Sequence, residues 1–255
     1  MIIRGMRGTC LLLLMGMVGA DEAAFGQGKR AGGTAADTKM PPGSQRQRVF
    51  LPVDPRDEAA ILAEDARTQR AVRPLGPTAK LSLFGLPPAV GGSFVVLMDR
   101  SASMGSGGNG AIGAVAKELA DRWGAIQEQQ RIQILAYNQT VESLGGWELL
   151  PATEANKDRL IKRVQEVTAN GQTEHHFGLL AALRLKPEVI FLLTDGGEPA
   201  LAPGQLQLLR KLAAGQTAIH CAKFGRGKEA VSDHFMKRLA AENGGSYVYC
   251  DLNAR

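Results

Sequence analysis

Two stretches of this chain are apolar without interruption, Ser93 to Met98 (SFVVLM) and Val189 to Leu193 (VIFLL), and each runs directly into an aspartate or a Thr-Asp pair. A strand with one face in water alternates polar and apolar residues, so a strand that does not alternate must be covered on both faces. Crossover helices supply such cover, and they join parallel strands. Helical periods occur where crossovers are needed. Gly110 to Ile126 carries Ile112, Val115, Ala116, Leu119, Ala120 and Trp123 on one stripe. Thr153 to Val167 opens on a capping threonine and turns Leu160, Ile161 and Val164 inward. Further helices are expected at His176 to Leu185, Gly204 to Ala214 and Ser232 to Asn243. The remaining strands fall at Arg131 to Tyr137, at Val141 to Leu149 as an edge hairpin, at Thr217 to Phe224 and at Ser246 to Cys250. The fold class is α/β, a doubly wound, mostly parallel central sheet with helices on both faces, over residues 81–255.

Residues 1–80 read differently. Arg4 and Arg7, the apolar run from Cys10 to Val18 and the small residues Val18-Gly19-Ala20 form a secretory signal over residues 1–20. The alternative is an uncleaved anchor, but the run falls short of the roughly 20 residues a spanning helix needs. Residues 21–80 are a spacer in which Gly, Ala, Lys, Asp, Gln and Pro follow no period, so most of it is expected to be disordered, with one short helix at 57–72. The protein is expected to be exported to the periplasm or cell envelope, with no transmembrane span in the mature chain.

The net charge of +5 does not belong to the folded part, since residues 81–255 hold 18 basic and 17 acidic side chains. A nucleic-acid partner would call for Lys and Arg gathered on the folded domain, and this balance speaks against one.

In a parallel sheet the working residues lie in loops at the carboxyl ends of the strands. There the sequence places Asp99-Arg100-Ser101-Ala102-Ser103 after the first apolar run and Thr194-Asp195-Gly196-Gly197 after the second, with Asn170-Gly171-Gln172-Thr173 between them. Asp99, Ser101, Ser103, Thr173 and Asp195 form a set of two carboxylates and three hydroxyls. Hard oxygen donors without a thiolate suit Mg²⁺ or Mn²⁺, whereas zinc favours His and Cys.

This D-x-S-x-S turn, with Thr173 and the T-D-G of Asp195, resembles the von Willebrand factor A domain and its metal-ion-dependent adhesion site, over roughly Leu81 to Asp251. The lead-in Leu83-Phe84-Gly85-Leu86-Pro87 is also similar to exported bacterial proteins that carry this domain. The resemblance implies a Rossmann-like fold and direct cation contacts from Ser101, Ser103 and Thr173, with Asp99 and Asp195 acting through water. It also implies a protein partner that offers an Asp or Glu carboxylate to the cation, and no catalysis. Glu174-His175-His176 departs from the family pattern, which usually continues with small or apolar residues after the acid. One of these histidines is expected to cap the helix and the other to be solvated. Arg100 and Glu198 are expected to be solvated rim charges, and His220 and His234 to be structural.

The competing class is a nucleotide binder or metal-dependent hydrolase. Gly105 to Gly110 matches G-x-G-x-x-G, but it begins six residues beyond Asp99, and the second strand ends in Ala136-Tyr137-Asn138-Gln139 with no acid for a ribose. No phosphate-binding G-x-x-x-x-G-K motif occurs, and no G-x-S-x-G elbow surrounds Ser101 or Ser103 for a triad with Asp195 and His175. After signal removal Cys221 and Cys250 remain, an even count that permits a disulfide in an oxidising compartment, but both lie in apolar strands, where buried free thiols are common.

Overall fold

The computed structural model describes residues 76–230 and 234–254; the signal and nearly all of the spacer, including the helix expected at 57–72, lie outside the described residues. The strands are β1 (Ala79–Leu81), β2 (Ala89–Gly91), β3 (Ser93–Asp99), β4 (Arg131–Tyr137), β5 (Val141–Ser143), β6 (Leu150–Pro151), β7 (Val189–Thr194), β8 (Ala218–Gly225) and β9 (Tyr247–Asp251). The helices are α1 (Ala111–Arg122), α2 (Glu154–Gln165), α3 (His175–Arg184), α4 (Pro203–Ala213) and α5 (Phe235–Glu242). In the main sheet the order is β5-β4-β3-β7-β8-β9, and β6 also pairs with β4. Strands β4, β3, β7, β8 and β9 run parallel, while β5 and β6 lie antiparallel to β4.

Every residue of β3 and β7 is buried, as their unbroken apolar runs require. Alternate residues serve two cores. Phe94, Val96 and Met98 pack with Val115 and Leu119 of α1 and Leu160 and Val164 of α2. Val95 and Leu97 pack on the other face with α3, α4 and α5 through residues such as Leu179, Leu209 and Leu239. Thr153 caps α2 as expected, its hydroxyl accepting from the Asn156 amide at 3.3 Å.

The expected edge hairpin forms between β4 and β5, but its second strand is interrupted after Ser143 instead of running to Leu149. β5 and β6 each pair with β4, and the chain between them is held by the buried Gln133. Its amide donates to the Gly146 and Glu148 carbonyls, both at 2.7 Å, and its carbonyl accepts from the Gly145 amide at 3.0 Å. A side chain thereby does the work of a ladder. An antiparallel pair, β1 and β2, also precedes the central sheet, β1 starting two residues before Leu81. Three-residue strands are too short to show a period, so composition hid them. The turn between them buries Leu83, Phe84 and Leu86 over the last strands, with Phe84 edge-on to Phe224 at 4.8 Å between ring centroids.

Cys221 and Cys250 are free and buried. In the β8–β9 register they are not partners, and they point into opposite cores. No rotamer choice brings their sulfurs together across the sheet. Alkylation of the unfolded, unreduced chain is therefore expected to label both Cys221 and Cys250, read by mass spectrometry. A species two hydrogens lighter and inert at both sites would contradict this arrangement.

Candidate metal centre

β3 and β7 are neighbours in the sheet, and the chain leaves β3 toward β4 and β7 toward β8, so the connections diverge between their carboxyl ends and open a crevice at the switch point. Met98 and Leu193 are register partners, which sets Asp99 abreast of Thr194 at the crevice floor. The Thr194 hydroxyl donates to Asp99 Oδ2 at 2.6 Å, and the Ser101 amide donates to Asp99 Oδ1 at 2.7 Å. The second bond folds the chain into a tight turn, continued by a short 3-10 helix over Ala102–Met104 whose Met104 is buried. Within the turn the hydroxyls of Ser101 and Ser103 approach to 3.2 Å, Ser101 buried and Ser103 exposed toward solvent.

The Thr173 loop is tied to this turn by its backbone. The Ala102 amide donates to the Gly171 carbonyl at 3.1 Å and the Asn170 amide to the Arg100 carbonyl at 2.9 Å. Asn138, just beyond β4, fixes the loop from behind. Its side-chain amide reaches Asn170 O and Oδ1 at 2.9 Å each, and its carbonyl accepts from the Glu174 amide at 3.0 Å. Thr173 and Asp195 flank Gly197: from the Cβ position that this glycine lacks, Asp195 Oδ1 is 3.5 Å away and Thr173 Oγ1 is 3.9 Å away. Asp99, Ser101 and Ser103 thus meet in one turn, Thr173 and Asp195 meet beside Gly197, and Asp195 lies near enough to Asp99 for its charge to act there. Thr194 and Asn138, which join the loops, carried no signal beyond their positions at strand ends.

Asp99 is fully buried, yet among the described residues no Lys, Arg or His forms an ion pair with it or with Asp195. Burial pushes its pKa up to about 6; hydrogen bonds from Thr194 and Ser101 oppose this, and the charge of Asp195 adds to it. Two carboxylates close enough to feel each other's charge, without a positive ion-pair partner among the described residues and with hydroxyls nearby, are a donor set that suits a hard divalent cation. Among the described residues no group of three His, Cys, Asp or Glu could hold a metal, so a zinc-type cluster is not part of this surface.

The histidines depart from expectation. Neither His175 nor His176 is solvated, and Glu174, at the N-cap of α3, makes no side-chain capping bond. His175 Nδ1 lies 2.8 Å from the Tyr137 hydroxyl and Nε2 lies 2.9 Å from the Gly197 carbonyl. Its pKa is lowered, with burial as the main cause. His176 is also buried, and neither ring nitrogen has a hydrogen-bond partner among the described residues. Arg100 is half-buried rather than solvated and donates from Nη2 to Thr140 Oγ1 at 3.2 Å, while Glu198 accepts from the Ala200 amide at 2.8 Å. His220 and His234 both accept backbone amides, as structural residues do.

The glycine-rich loop closes on itself. The Gly108 and Gly110 amides donate to Gly105 O at 2.9 and 2.8 Å, and the Asn109 amide donates to Ser103 O at 2.7 Å. A Cβ on Gly108 would collide with the Ser103 carbonyl, so this glycine lets the loop press against the serine turn. Amides committed in this way are not available to a phosphate.

Neither a protein-family model nor a curated protein matches the chain. Solved structures do. A von Willebrand factor type A protein from Catenulispora acidiphila superposes with a TM-score of 0.54 at 18% identity, covering 70% of this chain and 46% of that one. The match therefore spans under half of the Catenulispora protein. BatB from Bacteroides thetaiotaomicron gives a TM-score of 0.47 at 12% identity over 63% of this chain and 91% of that one. Manganese-loaded TRAP from Plasmodium vivax gives 0.48 at 14% over 71% and 74%. The fold of this chain is that of the von Willebrand factor A domain.

A carboxyl whose folded pKa is about 6, above its ordinary value of 3.8, favours the cation-free fold most at low pH. That contribution declines as pH rises from about 4 to 6 and is gone above. In EDTA, Asp99→Asn is expected to raise the melting temperature at pH 8, by a stability gain on the order of 2 kcal/mol, and to change little at pH 4. Equal effects at both pH values in thermal melts would show that Asp99 is not a buried, unpaired carboxylate.

Proposed function

We propose that this protein is a divalent-cation-dependent protein-binding module, serving adhesion or assembly, and not an enzyme. The observation that supports this reading is that the Asp99-Ser101-Ser103 turn lies beside the Thr173–Gly197–Asp195 group, with no positive side chain among the described residues ion-paired to either carboxylate. Ser101, Ser103 and Thr173 would hold Mg²⁺ or Mn²⁺ through their hydroxyls, with Asp99 and Asp195 behind them. When bound, a cation with so many neutral ligands keeps much of its charge and attracts a further anionic oxygen. An Asp or Glu of a partner protein supplies that oxygen, and the loops around the crevice select the partner. No nucleophile or base is required. Binding of nucleic acid is not supported by the near-neutral folded part.

We assign the working place of the module to the cell envelope, on the strength of the N-terminal signal pattern. No helix among the described residues is long and apolar enough to cross a membrane.

Calorimetry with Mg²⁺, Mn²⁺ and a dinucleotide on the wild-type chain and on Asp99→Ala/Ser101→Ala tests the reading. Saturable cation binding that weakens at least about tenfold in the double variant is expected, since buried donors to the cation are lost. Dinucleotide binding indifferent to the substitutions would instead support the nucleotide-binding class. Envelope proteins retained by the wild type and released by EDTA are the expected partners. Retention unchanged by EDTA and by the double variant would exclude a cation-mediated contact.

A further inference from the structure

The loop that carries Asp195 is held by two histidines, His175 at the start of α3 and His234 at the N-cap of α5. Gly196 and Gly197 follow Asp195 and present consecutive carbonyls, each against an imidazole. His175 Nε2 lies 2.9 Å from the Gly197 carbonyl, and His234 Nε2 lies 3.2 Å from the Gly196 carbonyl. A carbonyl oxygen only accepts, so each Nε2 carries the proton. The opposite ring nitrogens are then acceptors, and both have donors: the Tyr137 hydroxyl at 2.8 Å for His175 and the Met236 amide at 3.4 Å for His234. The Phe235 ring packs against both imidazoles, with centroids 4.9 Å from His175 and 4.7 Å from His234.

The remaining backbone groups of the same two glycines are also taken. The Gly196 amide donates to Thr194 Oγ1 at 3.0 Å and the Gly197 amide to Asp195 Oδ1 at 3.2 Å. Gly196 has φ +71°, and a Cβ there would stand 2.6 Å from His234 Cε1, so no other residue fits between the loop and this imidazole. A pair of glycines is the most mobile dipeptide a chain can contain, and here all four of its polar backbone groups are spoken for.

We propose that His175 and His234 are positioning residues for the cation site: by holding the Gly196 and Gly197 carbonyls they keep the Asp195 carboxylate directed at the hydroxyls of Ser101, Ser103 and Thr173. This rests on the cation-binding reading above. Released from the imidazoles, the diglycine samples many conformations, and apparent affinity falls by the fraction that still directs Asp195 correctly. Ring volume alone would not serve, because the contact that counts is an N–H donated to a carbonyl.

Substitutions that separate volume from donor test the proposal, with Mn²⁺ affinity measured on the full chain by calorimetry and by electron paramagnetic resonance. His175→Phe and His234→Phe keep a ring and lose the donor; each is expected to weaken Mn²⁺ binding about tenfold, the cost of fixing one backbone residue anew. His175→Gln and His234→Gln keep an N–H near the Nε2 position and are expected to stay within about twofold of wild type. Tyr137→Phe leaves the core filled but removes the proton that fixes the His175 tautomer. A loss of roughly threefold is expected, and this variant decides the matter for His175 should a Phe variant not fold. In an Asp195→Ala background the Phe substitutions are expected to have no further effect on affinity. Folded Phe variants that bind Mn²⁺ like wild type overturn the proposal, as do Gln variants that lose as much as Phe, or losses that persist undiminished without Asp195. A wild-type chain that takes no Mn²⁺ overturns the cation reading and this inference with it, a result distinct from a wild type that binds beside histidine variants that bind equally well.

Discussion

The hydrogen bond from Thr194 to Asp99 joins the ends of the two strands on which the rest of the domain is hung. β3 and β7 are neighbours in the sheet but lie far apart in sequence, and their carboxyl ends are where the connections part. Without a bond across that gap the crevice would be lined by two carboxylates free to turn away from each other. With it, one oxygen of Asp99 is committed to Thr194 and the other to the Ser101 amide, and the serine turn inherits its direction from the sheet.

The same arrangement has an electrostatic cost that the fold does not relieve internally. Asp99 is removed from water beside a second carboxylate, and among the described residues no basic side chain is ion-paired with either. Proteins rarely leave a buried charge in this state unless something outside the chain is to meet it. Rigidity and charge thus act together here: the backbone bonds that the Gly171 and Arg100 carbonyls accept, and the one that the Asn138 side chain donates, fix where the oxygens stand, and burial makes their charge hard to ignore.

Much of this was legible in the sequence. The unbroken runs SFVVLM and VIFLL located the central strands, and the residues just past their ends located the crevice, because burial on both faces leaves a parallel sheet nowhere else to work. The strands β1, β2 and β6 were hidden by their brevity, and Gln133 was hidden because a buried glutamine serving as a ladder has no local pattern. The histidines misled for a related reason. A polar residue at a helix start reads as a cap or a solvated group, and only the tertiary position of Tyr137 and Gly197 turns His175 into a buried link. Asn138 and Thr194 were silent because their partners lie in distant loops.

The turn at Phe84 packs on Phe224 and receives a contact from Cys250 at a separation of 166 residues. One core is therefore completed only by joining the domain's first segment to its last strand. A chain delivered from its amino end holds an open apolar surface until β9 arrives. Such long-range closure makes for slow maturation and a prolonged need for protection from aggregation.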